Sequence, residues 1–299
     1  MSVTIDLPED ISGSSHNPNP RVHVLKTLKK LIPVRWKRRI RRYQQEREKT
    51  RLFGSLASMV PPVEDMFDGP GTLEEFKANG EEFLNIYKEI CGLQPDEKML
   101  DVGSGIGRKT LPLTQYFNGQ AVYEGIDIAK AGVDWCRDRI TSRFPNFHFQ
   151  QIDVYNRYYN PLGRYQASEY QFPFADESFT FVMLGSVFTH MLPGDVEHYL
   201  SEVRRVLTAG RCLISYFLLN DESRRFIEAG KSSFDFKYDL GGYHTISREV
   251  PEQAIAFDET LIRSLYEKAG LKIARIDYGS WCGRAGSWST QDLILAVRE

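Results

Sequence analysis

Short apolar runs alternate along the chain with segments in which apolar residues recur every three or four positions. Thr72 and Glu75 have the spacing of a helix capping box, and a one-sided apolar stripe follows them. The apolar runs lie at 98–102, 121–127, 147–153, 178–184 and 211–219, with helical patterns between them. This alternation predicts an α/β fold of βαβ units around a mostly parallel sheet.

The last part of the chain departs from this alternation once. Residues 220–257 have no clean period, so we predict that they are an insertion. The pattern resumes with a helix over 259–269, which Gly270 is predicted to stop, and with two further strands. Ahead of the domain, which we expect to span 72–299, we predict a disordered lead-in over 1–20, a basic amphipathic helical arm over 21–60 and a turn-rich linker over 61–71.

Composition adds a charge asymmetry to this picture. The chain has 299 residues, of which 41% are hydrophobic and 26% charged, as in globular proteins. Its net charge of −2 hides a segment, residues 21–51, that carries 13 Lys and Arg against Glu46 and Glu48. The other residues hold 25 basic and 38 acidic side chains. We therefore expect a basic arm attached to an acidic body.

Several classes of protein are not indicated by the sequence. The longest apolar run, 181–192, is too short to cross a bilayer, and the first residues lack the features of a secretory signal. The four cysteines form no CxxC pair, so we expect reduced thiols and no metal site. These observations predict a cytoplasmic protein. The sequence sets no oligomeric state.

The basic arm has the pattern of a helix that lies on an anionic membrane. Trp36, Ile40 and Tyr43 fall on one helical face among arginines and lysines, and Pro33 is predicted to start this helix or to kink a longer one. The pattern predicts peripheral binding through 21–51 to the inner face of the membrane. RNA binding, which we consider unlikely, docking on the acidic body and a simply solvated helix are the alternatives.

The strongest chemical signal is the sequence LDVGSGIGR, residues 100–108, in which a strand turns through three glycines into a helix. Glycines let the backbone approach a ligand, and the N–H groups at a helix start favour an anion such as a phosphate or a carboxylate. The spacing is GxGxG, and Arg108 stands where a dinucleotide fingerprint has its third glycine. This departure argues against a nicotinamide-dependent oxidoreductase, which we retain as an alternative.

Carboxylates end three of the predicted strands. Asp101 precedes the glycine turn, Asp127 follows 20 residues after Gly107, and Asp153 ends the next strand. Asp127 stands where a doubly wound fold places the acid that binds ribose hydroxyls. Each aspartate alone is equally consistent with a helix cap or a turn. Three in order beside one glycine turn favour a ligand site.

These segments together resemble the class I S-adenosylmethionine-dependent methyltransferases, in the group with a type 11 methyltransferase domain. The resemblance covers roughly residues 83–299 and rests on LDVGSGIGR, YEGIDIA, FQQIDV, FPFADESFTFVMLGSVFTHM and LSEVRRVLTAGRCLISYF. At 208–211 the chain has TAGR where the family usually has KPGG. The resemblance implies a Rossmann-like, mostly parallel seven-stranded sheet with helices on both faces and an antiparallel last strand, and S-adenosylmethionine as cofactor.

The resemblance also implies where the cofactor lies. The methionine part is expected at the glycine turn, the ribose at Asp127, the adenine at the tip of the third strand, and the sulfonium at the tip of the fourth. The residues implied are Asp101, Gly103, Gly105, Gly107, Asp127, Ile128, Asp153, Val154, Leu184 and Gly185.

Methyl transfer from a sulfonium needs no metal, so the protein supplies alignment and, for a hydroxyl acceptor, a base. His190, just past the fourth strand, is our candidate base, with a structural histidine as the alternative. The segments 156–165, 241–245 and 278–284 are candidate walls of the acceptor site. We predict methylation of a small-molecule or glycan hydroxyl, with the membrane arm favouring a cell-envelope or lipid-linked glycan. N-methylation of a small amine, which needs no such base, and a binding module without catalysis are alternatives.

Overall fold

A computed structural model of the protein describes residues 33–67, 69 and 71–298. The chain divides into two compact units, residues 1–48 and 49–299. The predicted lead-in over 1–20 and the arm as far as residue 32 lie outside the described residues. Among the residues that are described, no helix is both long and apolar enough to cross a membrane.

The described part of the first unit is helical. Helix α1, Val34–Phe53, begins directly after Pro33, whose carbonyl accepts bonds from the N–H groups of Trp36 (2.9 Å) and Lys37 (3.1 Å). A proline fits this place because it has no N–H to satisfy. The side chains of Trp36, Ile40 and Tyr43 are exposed, with 48%, 43% and 65% of their surface accessible.

The second unit takes in residues that precede the predicted linker. Met59 and Val60 are buried, and the indole of Trp135 donates to the Met59 carbonyl at 3.0 Å. Helix α2, Leu73–Glu89, follows, and Thr72 caps it by accepting from the Glu75 N–H at 3.1 Å. The Glu75 carboxylate reaches back to the N–H of Gly71 at 2.9 Å.

The sheet of this unit has seven strands in the order β10-β11-β5-β4-β1-β2-β3. All pairings among β1 to β5 are parallel, and β11 is antiparallel to both of its neighbours. The strands are β1 Lys98–Val102, β2 Val122–Asp127, β3 Phe147–Gln151, β4 Phe179–Leu184, β5 Leu207–Tyr216, β10 Lys272–Asp277 and β11 Asp292–Val297. The predicted seven-stranded, mostly parallel sheet with an antiparallel last strand is confirmed.

Helices cover this sheet on both sides. They are α3 Thr110–Tyr116, α4 Lys130–Cys136, α5 Pro193–Val206 and α7 Glu259–Ala269, the last of which ends at Gly270 with φ 70° as predicted. Two apolar clusters result, because alternate side chains of each strand point to opposite faces. At the TAGR segment, α5 passes directly into β5, and a Cβ on Gly210 would lie 2.3 Å from the Thr180 carbonyl oxygen.

Residues 220–257, the predicted insertion, contribute most of a second sheet. Helix α6, Asp221–Glu228, is followed by β7 Tyr238–Asp239, β8 Tyr243–Thr245 and β9 Ile255–Asp258, and the order is β6-β9-β8-β7 with β6 at Leu218–Leu219. Phe217, Phe236 and Trp281 pack together in its core.

A buried carboxylate joins the two sheets. Asp292, the first residue of β11, accepts from the Leu218 N–H at 2.6 Å and from the Gly279 N–H and the Trp281 indole at 2.7 Å each. Burial raises the pKa of Asp292 to about 6, while these donors oppose the increase. The four cysteines are all buried and unbridged.

Candidate active site

The glycine turn follows β1 and requires its glycines. Gly103, Gly105 and Gly107 have φ values of 80°, 58° and 85°, in the left-handed region. A Cβ on Gly103 would lie 2.4 Å from Cγ2 of Val187, and one on Gly107 would lie 2.9 Å from Sγ of Cys136. The turn is therefore fixed both by its backbone conformation and by its neighbours.

Asp127, at the end of β2, is held against this turn. Its Oδ2 accepts from the Gly105 N–H and its Oδ1 from the Ala129 N–H, both at 2.7 Å. The side chain belongs to a residue with 9% of its surface exposed, at the wall of a cavity. The sheet thus places a carboxylate and a left-handed glycine turn side by side.

The cavity opens at the carboxyl ends of β1, β2 and β4, as expected for a doubly wound sheet. Seven of the eleven predicted site residues line it: Gly103, Gly105, Asp127, Ile128, Val154, Gly185 and His190. Two tyrosines, an asparagine and two basic residues that were not predicted also line it, namely Tyr155, Tyr159, Asn156, Arg108 and Lys109.

Four predicted residues, Asp101, Gly107, Asp153 and Leu184, are absent from the part of the wall formed by described residues. Asp101 is fully buried and receives a hydrogen bond from the Tyr123 hydroxyl at 2.8 Å. Asp153 pairs with Arg164 at 2.6 Å, and this bond lowers the pKa of Asp153. Their predicted contacts with the cofactor stay predictions.

His190 ends a 3₁₀ turn, Phe188–His190, just beyond β4. Its Nδ1 lies 2.8 Å from the main-chain carbonyl oxygen of Glu252. Because a carbonyl only accepts, Nδ1 carries the proton and Nε2 of the neutral ring is the basic atom. Burial lowers the pKa of His190, although the bond to Glu252 opposes this effect. The neutral form is therefore favoured at pH 7.

A loop after β3 packs on His190. Asn156 accepts through Oδ1 from the N–H groups of Tyr158 (3.0 Å) and Tyr159 (2.9 Å), and its Nδ2 donates to the His190 carbonyl at 2.9 Å. The ring of Tyr159 stands at 87° to the His190 ring with centroids 5.1 Å apart. One asparagine therefore connects an aromatic turn to the candidate base.

The tip of β4 contains a strained residue that also lines the cavity. Ser186 has φ 59°, and its N–H donates to Oγ of Ser215 at 2.7 Å. A non-glycine residue in this region costs about 1–2 kcal/mol, and such strain concentrates at functional sites. Ser215 also donates to the side-chain oxygen of Gln291 at 2.6 Å, which ties the bend to β5 and to the start of β11.

Residues 100–214 match the model of a family described as a methyltransferase domain. The chain contains a class I S-adenosylmethionine-dependent methyltransferase domain. The match includes the glycine turn, both aspartate-bearing strand tips after it and His190, so the motifs and the cavity of this methyltransferase coincide in one region.

Solved structures share the fold of the methyltransferase at low sequence identity. The PH0226 protein of Pyrococcus horikoshii is 16% identical, with a TM-score of 0.53 over 80% of this chain and 97% of its own. A methyltransferase from Methanosarcina mazei is 21% identical, with a TM-score of 0.47 over 69% of this chain and 94% of its own. Magnesium protoporphyrin IX methyltransferase from Synechocystis, crystallised with S-adenosylhomocysteine, is 16% identical, with a TM-score of 0.48 over 79% and 92%.

The residues of the cavity fit the cofactor chemically. Gly103 and Gly105 leave room for a ligand next to the backbone, Asp127 offers carboxylate oxygens for hydroxyl groups, and Gly185 has no side chain at the tip of β4. A Cβ on Gly185 would lie 2.8 Å from Cε of Met183 and 3.0 Å from Nζ of Lys109. Glycine is therefore required at this tip.

The sequence analysis missed several residues of the wall for physical reasons. Phe67, which we assigned to a linker, lines the cavity, and no pattern in a turn-rich segment indicated this. Asn156 and Tyr159 were included only as part of a candidate loop. The carbonyl of Glu252 reaches His190 from the predicted insertion, 62 positions away in the chain, and a main-chain contact leaves no motif.

Proposed function

We propose that this methyltransferase methylates a hydroxyl group of a small-molecule or glycan acceptor, with His190 as the general base. The proposal depends mainly on the hydrogen bond between Nδ1 of His190 and the Glu252 carbonyl at 2.8 Å. That bond leaves Nε2 as the proton acceptor on a residue that lines the cavity. S-adenosylmethionine, when bound, supplies an electrophilic methyl group.

A hydroxyl is a weak nucleophile, so removal of its proton as the new bond forms accelerates the transfer. His190 is suited to this because burial keeps its ring neutral and the Glu252 carbonyl fixes its orientation. Tyr159 packs against the ring and limits its rotation. Asp153, Asp101, Gly107 and Leu184 remain proposed as residues that shape the cofactor site from outside the cavity wall.

The test combines a substitution with a pH profile. Radiolabelled cofactor and fractionated cell extract identify a hydroxyl acceptor, and His190→Ala is then expected to lower kcat by about 10²–10⁴-fold while S-adenosylhomocysteine affinity stays unchanged. His148→Ala is the matched control, because His148 lies on β3, pairs with Glu124 at 2.8 Å and does not line the cavity.

In the unmodified enzyme, kcat/KM should fall only when the pH drops below the usual histidine value of 6.5, since burial lowers the pKa of His190. Protonation occupies Nε2 and removes the base, so activity is lost on the acidic side. Full activity of His190→Ala would contradict the base assignment and would favour N-methylation of an amine.

We also propose that helix α1 brings the enzyme to anionic membranes, where a lipid-linked glycan is the fitting acceptor. The exposed side chains of Trp36, Ile40 and Tyr43 support this, because interfacial helices bury such residues among basic ones. Each nearby basic residue contributes about 1 kcal/mol at an anionic surface.

The membrane proposal is tested by co-sedimentation with vesicles that contain phosphatidylserine. The full chain should bind at low salt, and a variant with Trp36, Ile40 and Tyr43 all changed to serine should bind much less. Vesicles of phosphatidylcholine alone are the control for charge. Equal sedimentation of both proteins with the anionic vesicles would contradict the proposal.

A further inference from the structure

Lys109 connects the tips of β1 and β4 at the bottom of the cavity. Its Nζ donates to the Gly103 carbonyl at 3.0 Å and lies 3.2 Å from Oδ1 of Asp101. It also lies 3.0 Å from the position that a Cβ on Gly185 would occupy. The lysine side chain is only 5% exposed, yet it forms part of the cavity wall.

A buried ammonium is costly unless other groups compensate its charge. Asp101 provides the opposite charge, and the Tyr123 hydroxyl donates to the other oxygen of that carboxylate at 2.8 Å. An ammonium has three N–H donors, whereas Gly103 and Asp101 account for two of them. The remaining donor belongs to a group at the cavity wall, where a ligand anion can accept it.

The cofactor has an adenosyl part and an amino-acid part, and these require different partners. Asp127 suits the ribose hydroxyls, but a carboxylate at that place would be repelled. Lys109 lies at the other side of the glycine turn, between the two strand tips that flank the expected sulfonium. We propose that Lys109 is a binding residue for the carboxylate of the cofactor's amino-acid part, which rests on the cofactor assignment above.

Arg108 is the other basic residue with a permanent charge in the described wall of the cavity. Its guanidinium points away from the tip of β4, because its Nη1 lies 2.8 Å from the place of a Cβ on Gly69. The charge of Arg108 also lowers the pKa of Glu82, against the larger opposite effect of burial. Arg108 therefore serves as a matched comparison: it is adjacent and basic, but directed elsewhere.

The test compares two ligands that differ at the amino-acid end. S-adenosylhomocysteine carries the carboxylate, whereas 5′-methylthioadenosine keeps the adenosyl part and lacks it. Calorimetry with Lys109→Met should show affinity for S-adenosylhomocysteine reduced by about 10–100-fold, the value of a charge-assisted hydrogen bond, and affinity for methylthioadenosine changed less than about 3-fold. Arg108→Met should produce no such difference between the ligands.

Removal of Lys109 leaves Asp101 buried without its counter-charge, so the single variant may not fold. The double variant Lys109→Met with Asp101→Asn removes both charges, and circular dichroism checks its fold. It should show the same preference against the carboxylate-bearing ligand. Equal losses for both ligands in the folded variant would mean that Lys109 only supports the turn, and would overturn the proposal.

Two further results would also overturn it. Unchanged affinity of Lys109→Met for S-adenosylhomocysteine would exclude the contact while leaving the methyltransferase assignment intact. Failure of the unmodified protein to bind S-adenosylhomocysteine would instead contradict the cofactor assignment itself, and the two failures are therefore distinguishable.

Discussion

The two halves of the cavity are built differently. On the cofactor side, residues 101–109 and Asp127 lie on two adjacent strands and their turns, and main-chain N–H groups fix the carboxylate. On the acceptor side, His190 is held by a carbonyl of the predicted insertion and by Asn156 from another loop. The first half is local in sequence and close to backbone geometry, whereas the second depends on contacts between distant segments.

This difference has a functional meaning. A cofactor is the same for all members of a family, so a short motif in a rigid turn suffices to bind it. The acceptor varies, and loops can change without disturbing the sheet. Substitutions should therefore separate the two halves: those in the first should affect cofactor affinity, and those in the second should affect turnover of the acceptor.

Gly103→Ala should have the largest effect, because it damages both halves. Its Cβ would lie 2.4 Å from Val187, which precedes the turn of His190, and its φ is 80°. Backbone strain and overpacking together should lower the free energy of unfolding by about 2–4 kcal/mol. Urea denaturation measures this loss.

Gly119→Ala is the control for that experiment, since no atom lies within 4 Å of the Cβ that it would add. Its free energy of unfolding should change by less than about 0.5 kcal/mol. Equal stability of Gly103→Ala and the unmodified protein would show that the turn is less constrained than its geometry indicates.

Asp127→Ala should affect the cofactor half alone. The variant loses the acceptor for the N–H groups of Gly105 and Ala129 and the proposed acceptor for the ribose. Affinity for both S-adenosylhomocysteine and methylthioadenosine should fall by about 100-fold, since both contain the ribose. Calorimetry measures this, with Asp134→Ala on exposed helix α4 as control; a loss confined to one ligand would argue against ribose binding.

Asn156→Ala should have the smallest effect, and only on the acceptor half. It removes the bonds that hold Tyr158, Tyr159 and the His190 carbonyl. We expect kcat/KM for the acceptor to fall about 10-fold, with cofactor affinity unchanged. Asn146→Ala, whose side chain bonds to Ala121 elsewhere on the sheet, should have no effect on catalysis. Weakened cofactor binding in Asn156→Ala would contradict the separation of the halves.

The same division explains what could be predicted from the sequence. Strand periodicity and the GxGxG spacing are local signals, and they led to the sheet, the turn and the position of Asp127 at the cavity. Lys109 was missed although it is part of the motif region, because a buried lysine leaves no periodic signal. Its importance appears only when the tip of β4 is brought beside it.

On the acceptor side, the chain indicated His190 but not what orients it. Residues 251–253 lack a strand or helix pattern, so nothing connected Glu252 with a histidine near β4. Asp153 illustrates the opposite error source: its place at a strand tip suggested a cofactor contact, while a bond to Arg164 turns its carboxylate to another partner. Long-range pairing decides such cases, and a single sequence does not encode it in a readable form.

The partner of His190 is a peptide oxygen, and this has a consequence for how the enzyme can diversify. A side chain that orients a base is lost when its codon changes, but a carbonyl survives any replacement that keeps the chain path. The 3₁₀ turn Pro251–Gln253 should therefore accept varied residues during evolution or library selection, yet reject insertions and deletions of a single amino acid. Loop grafts meant to alter acceptor choice should preserve the length of this segment above its composition.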